Sequence, residues 1–252
     1  MPTPPENPDD HSEITPGGSR VYRHTRRTVP ERFVHGDSEY IGAVSDHIEK
    51  HIGQIHMVWH EIVSELVHVD VYHVAPDDGR PFHTLITSGM GEAPMNAPDV
   101  EQPLHSELLT VLPRSWKLSQ DDFKDEANYW PVRFLKYCAR LPHEYDTWIG
   151  PGHTIPTGDP PTPVVPGSPF HCVMMMLPYA FSPNAAIMDY MGRKVSFLQM
   201  IPLTLAEMEY KLQHGSDELG KRFEALNLDF ASLYRPDRRC AVTKPRSWWK
   251  LW

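Results

Sequence analysis

The chain has 252 residues, of which 40% are hydrophobic, and a formal net charge of −9 at pH 7. This length suits one large domain or two small ones, and the negative charge argues against a nucleic-acid-binding protein, which would carry a basic stripe. The three widely spaced cysteines exclude a disulfide framework and a thiolate zinc site, and no apolar window is long enough to cross a membrane, so we expect a cytoplasmic protein.

The first residues of the chain are polar and rich in proline and glycine, and they lack the apolar stretch of a signal peptide. Because such a segment cannot bury enough apolar surface to offset the entropy of ordering, we expect residues 1–32 to form a disordered tail. Residues 33–232 are predicted to form a single domain. Residues 233–252 are predicted to form a C-terminal tail, which ends in the basic and aromatic run "TKPRSWWKLW".

The first predicted elements are a helix and a group of strands. Apolar residues recur at helical spacing in "SEYIGAVSDHIEKHIG", while Val67, Val69 and Val71 alternate with polar or aromatic residues, as in a strand. Residues 56–63 are predicted to be the paired strand of a hairpin. The stretches "RPFHTLITSGMG" and "LHSELLTVLP" are typical of two more strands, separated by a loop rich in glycine and proline.

The rest of the chain is predicted to contain three helices and two long strands. One helix is "NYWPVRFLKYCARL", with Asn128 as its cap and Pro142 directly after its end. Two apolar runs, "HCVMMMLP" and "KVSFLQMIPL", have strand length. Two helices follow: "TLAEMEYKL", with Thr204 and Glu207 as a capping box, and "SDELGKRFEALN". Since helices and strands do not alternate regularly, we expect an α+β fold, with a mixed, mostly antiparallel sheet flanked by helices in a single domain.

The loop after the second predicted helix is the candidate functional site. The stretch "LPHEYDTWIGPGHTIPTGDP" combines aromatic side chains, carboxylates and histidines with prolines that stiffen it. Tyrosine and tryptophan are favoured at binding hot spots, a pre-ordered loop lowers the entropy cost of binding, and carboxylates complement a basic partner. The loop "MGEAPMNAP" is a second candidate for recognition. The predicted partner-binding residues are His143, Glu144, Tyr145, Asp146, Trp148, His153 and Asp159, with Met90 and Asn96 from the second loop.

Other interpretations of these residues remain open. His143, Asp146 and His153 are suitable ligands for a metal-assisted hydrolase, although their spacing does not match H-E-x-x-H. A carboxylate beside His153 suits acid–base catalysis, but no nucleophile motif or phosphate-binding glycine pattern accompanies it. Trp148 and Ile155 are also suited to a small core of the loop itself. The tryptophan-rich C-terminal run is suited to self-association.

Five long blocks of the sequence follow one another along the chain. They are "HEIVSELVHVDVYHVAP", "RPFHTLITSGMGEAPMNAP", "LHSELLTVLPRSW", "DEANYWPVRFLKYCARLPHEYDTWIGPGHTIPTGDPP" and "FLQMIPLTLAEMEYKLQHGSDEL". Together they resemble the bacterial branch of the Suppressor of Fused domain family, over roughly residues 35 to 230. The run H-E-Y-D-T-W…G-H-T-I-P is the most unusual part of this resemblance.

The resemblance implies a single α+β domain with a protein-binding role rather than an enzymatic one. We expect no cofactor. In animals, the family member sequesters zinc-finger transcription factors by gripping a peptide between this domain and a second, C-terminal domain. We do not expect that role here, since the chain ends soon after the first domain. Many bacterial members are regarded as immunity proteins that neutralise toxins of polymorphic secretion systems. The resemblance therefore implies a binding module whose partner is another protein, with a basic toxin domain as the candidate.

Overall fold

The computed structural model describes residues 13–27, 36–61, 66–98 and 102–242 of the protein. An eight-stranded mixed sheet forms its centre, and helices cover both faces of this sheet. The predicted α+β class, with a mixed, mostly antiparallel sheet in a single domain, is confirmed.

Ten strands lie within the described part of the chain. Two of them form a small hairpin near the N-terminus, and the other eight belong to the main sheet. They are β1 (Glu13–Ile14), β2 (Arg20–Val21), β3 (Ile55–Trp59), β4 (Asp70–Val74), β5 (Phe82–Ser88), β6 (His105–Pro113), β7 (Thr154–Pro156), β8 (Phe170–Met176), β9 (Ile187–Tyr190) and β10 (Arg193–Thr204).

The main sheet has the order β3-β4-β5-β6-β10-β8-β7, and β9 pairs with the first part of β10. All of these pairs are antiparallel except β6 and β10, which run parallel with Val195 opposite His105. Parallel neighbours need a long connection, and here it contains a helix and three strands. The strand predicted over 56–63 corresponds to β3, which pairs with β4 as expected; residues 62–65 lie outside the described part.

Helices cover both faces of the sheet. The helix Glu126–Tyr145 packs on the first face, where its side chains Trp130 and Phe134 meet Leu108 from β6. The other three cover the opposite face, to which Leu109 belongs. Adjacent residues of a strand point to opposite faces, so a sheet buried on both sides explains the continuous apolar runs in the sequence. The helices of the described residues are α1 (Ser38–His51), α2 (Glu126–Tyr145), α3 (Leu205–His214) and α4 (Ser216–Leu226).

Helix α2 extends further at both ends than the sequence pattern predicts. Its N-cap is Asp125, whose side chain accepts a hydrogen bond from the N–H of Ala127, so the prediction of Asn128 as the cap is wrong. Pro142 does not end the helix either, because it lies buried in the last turn. A proline there removes one backbone hydrogen bond but keeps a helical φ, and the burial of its ring offsets that loss.

Residues 13–27, which we call the N-terminal arm, are ordered, in contrast to the predicted disorder. Strands β1 and β2 pair with each other, and the N–H of Gly17 donates to the carbonyl of Leu212 in α3 at 2.8 Å. The prediction considered only apolar burial, whereas hydrogen bonds and ion pairs hold the arm. Residues 1–12 and 28–32 of the predicted tail lie outside the described residues.

The chain beyond α4 also packs on the domain, past the boundary predicted at residue 232. Tyr234 is fully buried, and Arg238 forms a bidentate ion pair with Glu207 at 2.7 and 2.8 Å. This packing continues to Val242. The tryptophan-rich run lies in residues 243–252, outside the described part, so self-association through it stays a prediction. None of the described helices is both long and apolar enough to span a membrane.

Candidate functional site

The candidate site begins at the C-terminal end of α2. Asp146 adopts the left-handed conformation, with φ 53° and ψ 49°, and its N–H donates to the carbonyl of Pro142. The N–H of Thr147 donates to the same carbonyl at 2.9 Å. Aspartate tolerates this conformation better than most residues with a Cβ. The turn leaves the Asp146 side chain 56% exposed, while that of Glu144 is 18% exposed.

The loop that carries Met90 and Asn96 lies against this turn. The side-chain amide of Asn96 donates to the carbonyl of Asp146 at 3.2 Å, and its backbone N–H donates to that of Thr147 at 3.0 Å. On the other side of the turn, Nε2 of His143 lies 2.9 Å from the carbonyl of Met90. The two predicted recognition loops are therefore bonded into one unit.

Two of the predicted site residues, Met90 and His143, hold the site in position rather than forming its exposed surface. Met90 is fully buried, so its prediction as a partner contact is wrong. Its side chain is drawn inward because Oε1 of Glu107 accepts hydrogen bonds from the N–H groups of Gly89 and Gly91, at 2.8 and 3.0 Å. Burial lowers the pKa of His143, so its imidazole is a neutral donor to the Met90 carbonyl. His143 thus holds the two loops together.

After the helix end, the chain returns to the sheet as its edge strand. Strand β7 pairs with β8, with Ile155 opposite Val173, which corrects the prediction of a continuous loop. Ile155 is buried, as the small-core interpretation expected, but Trp148 is only half-buried and lines a cleft. The Trp148 ring meets His153 edge-on, with 4.2 Å between ring centroids. A Cβ at Gly150 would lie 2.5 Å from that ring, so this position needs a glycine.

A cleft of about 830 Å³ lies between this segment, the arm and α3. Four predicted site residues line it, and they are joined by Lys211 from α3, which is 3% exposed. Within the described residues, the Lys211 amine has no hydrogen bond or ion pair, and the Trp148 indole N–H has no hydrogen-bond partner. Aromatic walls with a few polar groups are typical of binding clefts. The four predicted residues are Tyr145, Trp148, His153 and Asp159.

The floor and the rim of this cleft differ in charge. Burial lowers the pKa of Lys211. Burial, together with the positive charge of Lys211, lowers the pKa of His153 to about 4, so this imidazole is neutral at pH 7. The carboxylates of Glu144 and Asp146 do not line the cleft; they lie beside it at the end of α2, which we call the rim, and each faces an arginine of the arm. The rim is therefore the acidic part of the site.

The N-terminal arm lies along this rim. The N–H of Arg27 donates to the carbonyl of Glu144 at 2.8 Å. Nη2 of Arg26 lies 3.5 Å from Oε1 of Glu144, and Nη1 of Arg27 lies 3.3 Å from Oδ1 of Asp146. Both arginine side chains are more than half exposed, at 58% and 51%. Exposed ion pairs of this kind contribute about 0–1 kcal/mol each, so the side-chain contacts hold the arm weakly.

The structure does not assemble His143, Asp146 and His153 into a metal site. His143 bonds to a backbone carbonyl, Asp146 pairs with Arg27, and His153 packs against Trp148. In the described parts of the chain, no three His, Cys, Asp or Glu side chains are placed to hold a metal ion. Within the residues that the structure describes, the metal-assisted hydrolase alternative therefore lacks a ligand set.

The sequence analysis missed two parts of the site, although each had left a signal. The arm contains "RVYRHTRR", a strongly basic run in an acidic chain. Lys211 follows Met208 by three residues on the buried side of α3, where an apolar residue is expected. A lysine at such a position indicates either a buried partner or a neighbouring cleft, and here it is a cleft.

The fold and this site define a class of protein: an α+β domain on a mixed sheet, with an aromatic and acidic cleft at a helix end. The family model for Suppressor of fused protein (SUFU) matches residues 65–236, which is more than half of the chain. The chain therefore belongs to the Suppressor of Fused family, as the sequence blocks indicated. No curated protein matches its sequence.

Three solved structures are similar to this one. A Suppressor of Fused homologue from Neisseria gonorrhoeae is 20% identical, with a TM-score of 0.61 over 83% of this chain and 100% of its own. The Sufu–Fu complex gives 14% identity and a TM-score of 0.51, over 76% of this chain and 85% of that chain. Drosophila Suppressor of Fused gives 14% and 0.51, over 78% of this chain and 50% of its own. At these identities the similarity establishes a shared fold.

Proposed function

We propose that the chain is a non-enzymatic protein-binding module, and that it acts in the bacterial cytoplasm as an immunity protein that neutralises a toxin. The observation that carries this proposal is the cleft at the end of α2, which Tyr145 and Trp148 line, next to a turn that leaves the Asp146 side chain 56% exposed. Membership of the family supports a binding role, because one structural relative was solved as the Sufu–Fu complex. The buried thiols of Cys138 and Cys172 are unpaired, which fits a reducing compartment.

We define the helix-end face as Glu144, Tyr145, Asp146, Trp148 and His153. Its aromatic rings offer buried contact area at a low entropy cost, and its carboxylates offer charge-assisted hydrogen bonds to a basic partner. The bonds from Asn96 and His143 hold this face in position before binding, which lowers the cost of association. The net charge of −9 adds long-range attraction for a basic toxin domain.

The test measures binding between this chain and the toxin domain encoded beside it, by isothermal titration calorimetry. We expect Tyr145→Ala with Asp146→Asn to weaken binding by about tenfold or more, which corresponds to about 1.4 kcal/mol. Asparagine tolerates the left-handed conformation of position 146, so this change removes the charge and preserves the turn.

The matched control is Tyr179→Ala with Asp189→Asn, which removes the same two side-chain types from another surface. Tyr179 is 64% exposed, and the Asp189 side chain is 55% exposed. We expect the control to bind as the unmodified chain does. If the two double variants bind with equal affinity, the helix-end face is not the contact surface.

A further inference from the structure

The segment "RVYRHTRR", residues 20–27, carries four arginines in a chain of net charge −9. It begins in β2 and then runs without regular secondary structure to the helix-end face. Its end is held there by the hydrogen bond from the N–H of Arg27 to the carbonyl of Glu144, at 2.8 Å. The arm thus reaches this face as an extended basic segment.

The side chains of this segment make the contacts that a basic partner would make. Arg26 and Arg27 pair with the carboxylates of Glu144 and Asp146, at 3.5 and 3.3 Å. The ring of Tyr22 lies 6.3 Å from that of His153, between centroids, and stacks on His24 at 5.7 Å. Aromatic and charged groups of the face are therefore engaged together by one short stretch of the same chain.

We infer that residues 20–27 occupy the helix-end face as an internal substitute for the partner. The face recognises an extended, arginine-rich segment, and a partner presents such a segment and displaces the arm. This inference rests on the proposed function for the presence of a partner. It adds two statements to that function. The partner's contact segment is extended and rich in arginine, and residues 20–27 of this chain compete with it for the helix-end face.

The way in which the arm is attached suits a competitor. The arginine side chains of its two ion pairs are more than half exposed, so another basic segment can replace them. Its other end stays on α3 through the hydrogen bond from Gly17 to Leu212 at 2.8 Å. A tether of this kind keeps the arginines at a high effective concentration near the face. Binding of a partner is then reduced by the fraction of molecules whose face is covered.

The test uses the full chain and a fluorescein-labelled peptide, "SRVYRHTRR", as the probe. Fluorescence anisotropy measures peptide binding to the unmodified chain and to the variant Arg26→Glu with Arg27→Glu. We expect the variant to bind the peptide about tenfold more tightly, because its own arm no longer covers the face. Hydrogen exchange should show lower protection of the backbone amide of residue 27 in the variant than in the unmodified chain, with unchanged protection in α2.

Two further variants serve as controls. Lys221→Glu with Arg235→Glu makes the same change of net charge at exposed positions elsewhere, where the side chains are 68% and 58% exposed, and should bind as the unmodified chain does. Adding Glu144→Gln and Asp146→Asn to the arm variant should abolish the gain. Equal peptide affinity in the arm variant and the unmodified chain overturns the inference. So does a gain that survives the loss of both carboxylates, or an absence of peptide binding throughout.

The same variants separate this inference from the proposed function. If the toxin domain does not bind but the peptide results hold, the proposed function fails and the arm remains a competitor for basic segments. If the toxin domain binds the unmodified chain and the arm variant equally, and the peptide does not displace it, the arm inference fails while the proposed function stands.

Discussion

At the scale of single residues, the site depends on buried polar groups that the sequence does not mark as special. Glu107 is fully buried and accepts hydrogen bonds from Tyr40 and Thr87, at 2.7 and 2.6 Å, as well as from two backbone N–H groups of the Met90 turn. Burial raises the pKa of Glu107, and these four donors oppose that rise. The Met90 carbonyl in turn holds His143, so one carboxyl group in the core fixes the position of the helix-end face.

We expect Glu107→Gln to lower the free energy of unfolding by about 1–3 kcal/mol, because an amide NH₂ would face groups that are themselves donors. Urea unfolding followed by circular dichroism measures this change. The control is Glu209→Gln, an exposed position, which should change stability by less than about 0.5 kcal/mol. A similar, small effect of both substitutions would mean that Glu107 does not organise the turn.

Lys211 is a second case in which burial and charge conflict. Because this amine is almost fully buried without a carboxylate partner among the described residues, Lys211→Met should raise the free energy of unfolding by about 1 kcal/mol. Thermal or urea unfolding tests the sign, with the exposed Lys50→Met as the control. A loss of stability in Lys211→Met would show that the lysine has a stabilising contact after all.

The lowered pKa of His73 predicts how the free energy of unfolding depends on pH. Burial, reinforced by His83, His56 and Arg80, lowers the pKa of His73 from 6.5 to about 4. Below pH 6.5 the unfolded chain binds a proton at this residue that the folded chain does not accept until about pH 4. The free energy of unfolding should therefore fall as the pH falls through this window, by up to about 1.4 kcal/mol per pH unit from this group.

The variant His73→Gln should make this dependence shallower, because glutamine does not titrate. Urea unfolding at several pH values between about 7 and about 4.5 gives the slope. The exposed His214→Gln is the matched control and should keep the slope of the unmodified chain. An unchanged slope in His73→Gln would show that His73 is not the cause of the loss of stability between pH 6.5 and about pH 4.

At the scale of elements, the ends of helices position the site and close the domain. The left-handed turn at Asp146 ends α2 and presents the helix-end face. Thr204 and Glu207 form a capping box at the start of α3. Glu207 also pairs with Arg238, whose side chain is 2% exposed, and accepts a hydrogen bond from the N–H of Ala241 at 2.8 Å. One glutamate thus caps a helix and fastens the segment that follows α4.

We expect Arg238→Met to cost about 3–5 kcal/mol of unfolding free energy, because it leaves the buried carboxylate of Glu207 without its cation. The double variant Arg238→Met with Glu207→Gln should lose less than the sum of the two single variants. Urea unfolding of the three variants completes this double-mutant cycle. Additive losses would mean that the two side chains do not stabilise the fold as a pair.

At the scale of the whole molecule, the chain has a net charge of −9, and its own basic arm lies on the helix-end face. Charge of this size steers a basic partner from a distance, whereas the rim carboxylates act only at contact. Salt screens both interactions, and it also weakens the ion pairs of the arm. The partner's association rate therefore reports mainly the long-range attraction.

We expect the association rate with a basic toxin domain to fall by about tenfold between about 50 mM and about 500 mM salt. Stopped-flow fluorescence measures this rate directly. A neutral osmolyte at matched osmolality is the control and should leave the rate nearly unchanged. A rate that does not respond to salt would contradict electrostatic steering of the partner.

Much of the fold could be predicted because its signals are local. The apolar spacing of α1, the strand pattern around Val71 and the Thr204–Glu207 capping box are each formed by residues close together in the chain, and α1, β4 and the capping box appear in the structure. Strand β4 begins at Asp70, after Val67 and Val69. The candidate site was predicted in the same way, from the aromatic and acidic composition of one stretch. Its residues Tyr145, Trp148, His153 and Asp159 do line one cleft, although their role in binding stays a prediction.

The sequence by itself determined the α+β class, the order of the four helices and of six strands of the main sheet, and the family, because local periodicity and long ordered blocks carry that information. Tertiary structure alone decided that Met90 turns inward, that Pro142 stays inside a helix and that β6 runs parallel to β10. It also decided that the basic arm lies on the acidic helix end. These outcomes depend on burial, hydrogen bonds and charges between residues far apart along the chain, whose energies no local pattern records.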